Sequence, residues 1–462
     1  MKNRMNWLRP AVLLLLVWLL SAAAVFAGDA KELTKEATLT LSTGESVKKL
    51  TDGSYTSKWK LKGETVLTIE AAEDIDCVYL IWDLPPGQWV LRSGNRVELF
   101  GRNNFLHEAV FPAEASGKVT ITLPKEGATL CEVRVFTEGD LPKDVQVWQP
   151  PYQDADMLLL PTHADDEHLF FGGTMPYYAG QLGMKVQVAY LTNHWGLREG
   201  SWHEYYRPHE LLNGLWTVGI TAYPIISEFD DWYSKELEHA KGLYANAYGE
   251  DAILSFQVEL LRRFKPEVVL GHDINGEYGH GVHKLNTYYL QQALELSDDP
   301  AAFPESAAKY GLWEVQKCYL HLYKENHVIM DWDQPLSAFD GKTAFQMAEA
   351  GYAKHVSQQE YFSVRRTGVH DCRSFGLYWT TVGLDTGKKD FLENVTLSDA
   401  AKEPQQEPPK EPVQPPAEPQ QPEPKGFPWG VTLGLALVLL ALIGLVLYQI
   451  KKGNKGKRKN RG

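Results

Sequence analysis

The chain has 462 residues, 44% of them hydrophobic, enough for two globular domains and accessory segments. Its 59 Asp and Glu outnumber 46 Lys and Arg, for a formal net charge of −13, and ten of the basic residues lie in ends that hold no acidic one: Lys2, Arg4 and Arg9 at the start, seven more in the last twelve positions. The body between those ends is strongly acidic, which excludes non-specific binding to nucleic acid or another polyanion.

Residues 1–27 read as a signal peptide. A basic start precedes an apolar run over 11–20, and Val25 and Ala27 are placed for cleavage after Ala27. An uncleaved anchor is the alternative; either one exports the body. Residues 36–148 read as an all-β sandwich. Period-two alternation recurs at 37–41, 65–69, 78–82, 97–100, 119–123 and 133–136, punctuated by Pro85-Pro86-Gly87 and Ser93-Gly94-Asn95. The stretch 50–59 resembles the early segment of discoidin-like, galactose-binding-like domains, and 131–136 resembles their closing strand. That resemblance implies a glycan-binding module; a packing spacer is the alternative.

From Asp156 the period changes. Apolar strands at 157–160, 185–191, 224–226 and 267–270 alternate with helical patterns at 168–182, 203–218 and 251–264. Residues 152–390 are therefore predicted to form an α/β domain with a Rossmann-like, mostly parallel sheet. Its site is expected beyond the carboxyl ends of the strands. Residues 391–426 are a Pro/Glu/Gln-rich linker, an extended stalk. Residues 427–450 carry no charge and suffice for one transmembrane helix, with Trp429 and Tyr448 near its ends. The basic tail 451–462 is expected in the cytoplasm, which places the body outside a cell membrane crossed once.

Four cysteines (Cys77, Cys131, Cys318 and Cys372) fall in that exported body. Pairing within domains would join Cys77 to Cys131 and Cys318 to Cys372; four buried thiols are the alternative. No C-x-x-C spacing supports a cysteine-based zinc site.

The chemistry sits in two motifs. Thr162-His163-Ala164-Asp165-Asp166-Glu167-His168 follows the first α/β strand directly. His163 and Asp166, three apart, can turn toward one metal and leave Asp165 free as a base. Alone, the acidic run could be a helix start favoured by the helix dipole. Gly276-Glu277-Tyr278-Gly279-His280-Gly281-Val282-His283 follows the strand at 267–270 and supplies two more histidines three apart. Together they offer a His/Asp/His set, and a catalytic zinc site needs three protein ligands, an open position and a base.

At these residues the chain resembles the PIG-L/LmbE-like zinc de-N-acetylases, with a His-Pro-Asp-Asp-Glu signature and a later Gly-His-x-x-His. The resemblance covers roughly residues 156–361. It implies Zn2+ held by His163, Asp166 and His283, with Asp165 as general base. His280 would stabilise the oxyanion or protonate the leaving amine, with Tyr278 on the oxyanion side. Arg207 and Glu210 resemble the family's Arg-x-x-Glu and would bind substrate. Lys354-His355-Val356-Ser357-Gln358 resembles a late family segment. One departure is Ala164, where proline is usual; it removes no functional group. Trp195, Trp202, Tyr205, Tyr206, Trp232 and Tyr233 are candidates to stack on a sugar ring, with loop packing as the alternative.

The expected function is removal of the acetyl group from an N-acetylglucosamine-type sugar in an extracellular glycan or glycoconjugate. A non-catalytic glycan-binding surface protein and another zinc amidohydrolase are the alternatives. All candidate site residues lie beyond position 149, so a chain starting near Gln149 is expected to fold and hydrolyse a small substrate.

Overall fold

A computed structural model describes residues 28–193 and 206–397. The signal peptide, most of the linker, the transmembrane helix and the basic tail lie outside the described residues, as do Trp195, Trp202 and Tyr205. Among the described residues no helix is long and apolar enough to cross a membrane. The chain divides into two units, Met1–Glu403 and Pro404–Gly462, and every described residue belongs to the first.

The N-terminal region contains β1 (Thr38–Leu41), β2 (Trp59–Leu61), β3 (Val66–Ile75), β4 (Cys77–Trp82), β5 (Trp89–Ser93), β6 (Arg96–Phe100), β7 (His107–Val110), β8 (Ser116–Thr122) and β9 (Ala128–Phe136). They form two antiparallel sheets, in the orders β1-β3-β8-β5-β6 and β2-β9-β4-β7. Side-chain alternation explains why the two sheets pack. Leu67, Ile69, Val119 and Ile121 of the first meet Val78, Leu80, Trp82, Val133 and Val135 of the second in one core. β4 is buried at all six positions, so it is covered on both faces. Its other face, Cys77, Tyr79 and Ile81, packs with Cys131, Phe136 and Val145.

The second region adds β10 (Met157–Leu159), β11 (Val186–Tyr190), β12 (Ile225–Ile226), β13 (Val268–Gly271), β14 (Lys317–His321), β15 (Val328–Ile329) and β16 (Ser374–Thr380) in one sheet, ordered β12-β11-β10-β13-β14-β16-β15. The first five strands run parallel, and β16 and β15 close the edge antiparallel. β10, β11, β13 and β14 are buried throughout, as a parallel sheet covered on both faces requires. Met157 and Leu159 face the layer holding Leu211 and Leu215, while Leu158 and Leu160 face Val258, Leu261 and Leu285. The chain runs outward from β10 through β11 to β12, then returns beside β10 as β13. That reversal is a topological switch point, where a crevice opens beyond the strand ends.

The mixed architecture matches the expectation from sequence. The details differ in two places. The helix predicted over 168–182 is instead a short helix, Asp166–Leu169, and a separate wide turn, Met175–Gln181. Gly172 divides them at φ 49°, where a Cβ would stand 2.6 Å from Cys372 Sγ. All four cysteines are free and buried, so neither Cys77–Cys131 nor Cys318–Cys372 is bridged. The two regions meet in a close seam, as the packing alternative for the β region expects. His107 Nε2 lies 2.9 Å from His209 Nδ1, the Leu106 N–H donates to Tyr223 Oη at 3.2 Å, and Phe105 stacks on Tyr223. The Gln146 amide donates to Asn213 Oδ1 at 2.6 Å, and Trp148 packs edge-on against Trp216.

Candidate metal centre

Both motifs arrive at the switch point, one after β10 and one after β13. The first loop is folded by Asp166 itself, whose Oδ2 accepts the Thr162 and His163 backbone N–H groups at 3.1 and 2.7 Å. Around that oxygen, His163 Nδ1 stands 3.4 Å away, His283 Nε2 3.1 Å, and the two nitrogens are 3.0 Å apart. Ligands about 2.0–2.1 Å from a tetrahedral zinc stand roughly 3.3–3.4 Å from one another, so this triangle fits the ion with small adjustment.

The hydrogen bonds behind the triangle aim its lone pairs inward. His283 Nδ1 faces the Glu277 carbonyl at 3.3 Å and donates to it, which leaves Nε2 as the acceptor. His163 Nε2 faces Asp231 Oδ1 at 3.2 Å, which leaves Nδ1 inward. Such outer partners fix the tautomer of a metal-bound histidine. Asp166 Oδ1 is buried with no hydrogen-bond partner, the second oxygen a cation would satisfy. Burial opposes charge on His163, yet Asp231 and Asp166 push its pKa up to about 10. Asp231 and Asp166 thus favour a cation at His163, a proton or a zinc ion in the proton's place, and the donor set fits zinc.

The adjacent aspartates differ sharply. Burial opposes ionisation of Asp166, but His283 and His272 hold its carboxyl well below the usual range. Asp165 is pushed up to about 7 by burial, with Arg207 pulling the other way. Its backbone has φ 119°, left-handed for a non-glycine residue. Arg207 Nη2 lies 3.3 Å from Asp165 Oδ1 and donates to the Ala164 carbonyl. One aspartate is firmly anionic and the other is poised near neutrality, which suits a ligand beside a base.

His280 lies over His163, ring centroids 5.0 Å apart, with Nδ1 buried and unpaired. Burial and the neighbouring His163 and His283 hold it down to about 3, so it is neutral and able to donate an N–H. Tyr278 is 44% exposed, stacks on Phe362 and meets His283 edge-on at the rim. Glu210 is elsewhere: its carboxylate is buried and accepts the N–H and hydroxyl of Ser357. Among the aromatic candidates, Tyr233 is 67% exposed beside His280, Trp232 packs on Tyr244 and Tyr248, and Tyr206 faces Tyr55.

Sequence reading gave no role to Asp231, His272, His321, Glu167 or His355. Behind the centre, Glu277 Oε1 takes His321 Nδ1 at 2.8 Å and His272 Nδ1 at 3.3 Å. His272 Nε2 in turn accepts the Thr162 N–H at 3.0 Å. Beneath it, Glu167 pairs with His355 at 2.9 Å, both wholly buried. Asp231 and His272 share one legible signal, a position shortly past the carboxyl end of a parallel strand. Four donor triples occur among the described residues: His163–His280–His283 and Asp166–His272–His283 share members with this centre, while Glu167–His168–His355 and Asp83–Cys131–His209 lie apart from it. Asp83 already carries the Lys58 ammonium at 2.8 Å. A cavity of about 810 Å³ opens along the seam between Tyr55, Arg134 and Trp216, but it holds no residue of 162–168 or 276–283. Donor chemistry locates the centre; cavity size does not.

Residues 158–294 match the family model described as PIG-L: GlcNAc-PI de-N-acetylase, a span that contains both motifs. The chain is 29% identical over 183 residues to a 1D-myo-inositol 2-acetamido-2-deoxy-alpha-D-glucopyranoside deacetylase of Catenulispora acidiphila, covering 35% of this chain and 54% of that one. A Streptomyces avermitilis protein of the same name is 28% identical, over 36% of this chain and 60% of its own. The chain thus spans little more than half the length of these curated relatives. Among solved structures, the N,N'-diacetylchitobiose deacetylase from Pyrococcus horikoshii aligns at 18% identity and TM-score 0.32, over 46% of this chain and 73% of that one.

Proposed function

We propose that this chain is a zinc-dependent N-deacetylase. It removes the acetyl group from an N-acetylglucosamine-type sugar, in an extracellular glycan or glycoconjugate. The observation that carries this reading is the convergence of His163 Nδ1, Asp166 Oδ2 and His283 Nε2 beside an Asp165 poised near neutrality. The deacetylase name of the family model and of both relatives supports the reaction class. Those relatives are named for a 2-acetamido-2-deoxyglucose, which supports the sugar.

When bound, zinc would lower the pKa of its water toward about 7 and polarise the acetamide carbonyl. Asp165 takes the proton of the attacking water, steadied by the Arg207 guanidinium. His280, neutral, donates an N–H toward the oxygen on which negative charge develops. The proton held by Asp165 then passes to the leaving amine, and acetate departs. The exposure of Tyr233 beside His280 supports its contact with the sugar ring, and that of Tyr278 beside His283 supports a place on the oxyanion side. The export signal and membrane helix expected from sequence support a site of action outside the cell.

The test is acetate release from N-acetylglucosamine oligomers by the full chain. Release that stops on chelation and returns with added zinc is expected. No release from zinc-replete protein, or release indifferent to chelation, would overturn the reading.

A further inference from the structure

Asp165 is tied at both ends to one short segment, residues 355–357, that takes no part in the metal centre. The first tie runs through Glu167. The Asp165 N–H donates to Glu167 Oε2 at 2.8 Å, and Glu167 Oε1 lies 2.9 Å from His355 Nε2. The second runs through the Arg207–Thr217 helix. Ser357 donates its N–H and hydroxyl to Glu210 at 2.9 and 2.6 Å, and Glu210 sits one turn from Arg207, whose guanidinium meets the Asp165 carboxylate.

The packing around these ties is tight. A Cβ on Gly214 would stand 2.6 Å from His168 Nε2 and 3.0 Å from His355 Nε2, and one on Gly351 would stand 2.3 Å from His168 Cε1. Two helices, Arg207–Thr217 and Ala344–Tyr352, therefore close on the imidazoles only because both positions are glycine. A left-handed aspartate persists only where its surroundings over-determine it, and these two ties supply that constraint.

We propose that His355 and Ser357 are positioning residues: acting through Glu167 and Glu210, they fix where the Asp165 carboxylate and Arg207 stand beside the metal centre. The proposal rests on the deacetylase reading for its kinetic consequence but not for its geometry. A misplacement of about 1 Å in a reacting group costs up to roughly 10²-fold in rate.

The experiment takes the full zinc-loaded chain and compares His355→Ala with His355→Gln, and Ser357→Ala with Ser357→Thr. Three quantities are read: zinc per chain, kcat and KM for acetate release, and amide hydrogen exchange over residues 162–169. The alanine variants should keep their zinc and KM, lose kcat by roughly tenfold to a hundredfold, and exchange faster over that segment. Gln and Thr, which keep a donor, should recover most of both. Zinc lost together with activity would make these residues supports of the metal loop, and parent-like exchange in both alanine variants would remove the tie; either result overturns the proposal. If the parent releases no acetate, the exchange pattern alone decides: faster exchange in the alanine variants upholds the positioning role while the deacetylase reading falls.

Discussion

His163 Nε2 stands 3.2 Å from Asp231 Oδ1, and that contact sets which nitrogen of His163 faces the centre. The aspartate lies after β12 in sequence, 68 residues from the histidine it orients. Outer partners of this kind are worth about 10–100-fold in metal affinity. Asp231→Ala should therefore weaken zinc binding by that order, read by competition with a chelator. An unchanged affinity would mean that the contact orients nothing.

The seam makes the β region part of the catalytic fold. A chain starting at Gln149 would bare His209, Trp216 and Tyr223, which His107, Trp148 and Phe105 cover. His209 also lies on the helix that carries Arg207. Against the expectation from sequence, the truncated chain should give little soluble protein and melt below the intact one by calorimetry. A truncated chain that melts at the intact temperature would show that the seam contributes nothing.

The same seam has an acid side. Burial holds His209 down to about 3 and His107 well below its usual value. In the unfolded chain both take up a proton near 6.5, so below that pH the unfolded state binds more protons and stability falls as pH falls. The slope is at most about 1.4 kcal/mol per pH unit for each histidine. His107→Gln should flatten the dependence of melting temperature on pH from about 6.5 downward, relative to the parent. Parallel curves would assign the acid loss to other groups.

Much of this was legible in the sequence, and what was missed has physical causes. The two motifs could be read because each follows an apolar run and packs its donors within eight residues. Parallel strands buried on both faces betray themselves as apolar runs, as Val186–Tyr190 does. Asp231 and His355 could not be placed, since their partners are distant in sequence and only the closed sheet brings them together. Glu210 was read as facing substrate because it resembles the family's Arg-x-x-Glu; a motif does not reveal that Ser357 already occupies its carboxylate. The seam was invisible for the same reason. A strand buried on both faces, such as Cys77–Trp82, looks apolar whichever partner covers it.

Topology is open to a direct check. Protease added to intact cells should remove the body and leave a short stub with the basic tail protected. Protection of the body instead would reverse the orientation and remove the extracellular substrate class.

The central claim is that Asp165 does chemistry while its neighbour holds metal. Asn keeps the size of Asp165 and accepts a hydrogen bond, but it cannot take a proton from water. General-base catalysis is typically worth about 10²–10⁴ in rate. The decisive measurement is acetate released per bound zinc by Asp165→Asn, alongside His163→Ala and His283→Ala. The account predicts that the Asn variant keeps the parent's zinc and loses turnover by that factor, while the two Ala variants lose zinc and activity together. Hydrolysis at the parent rate by Asp165→Asn, or zinc lost from it while Asp166→Asn keeps zinc, would contradict the account.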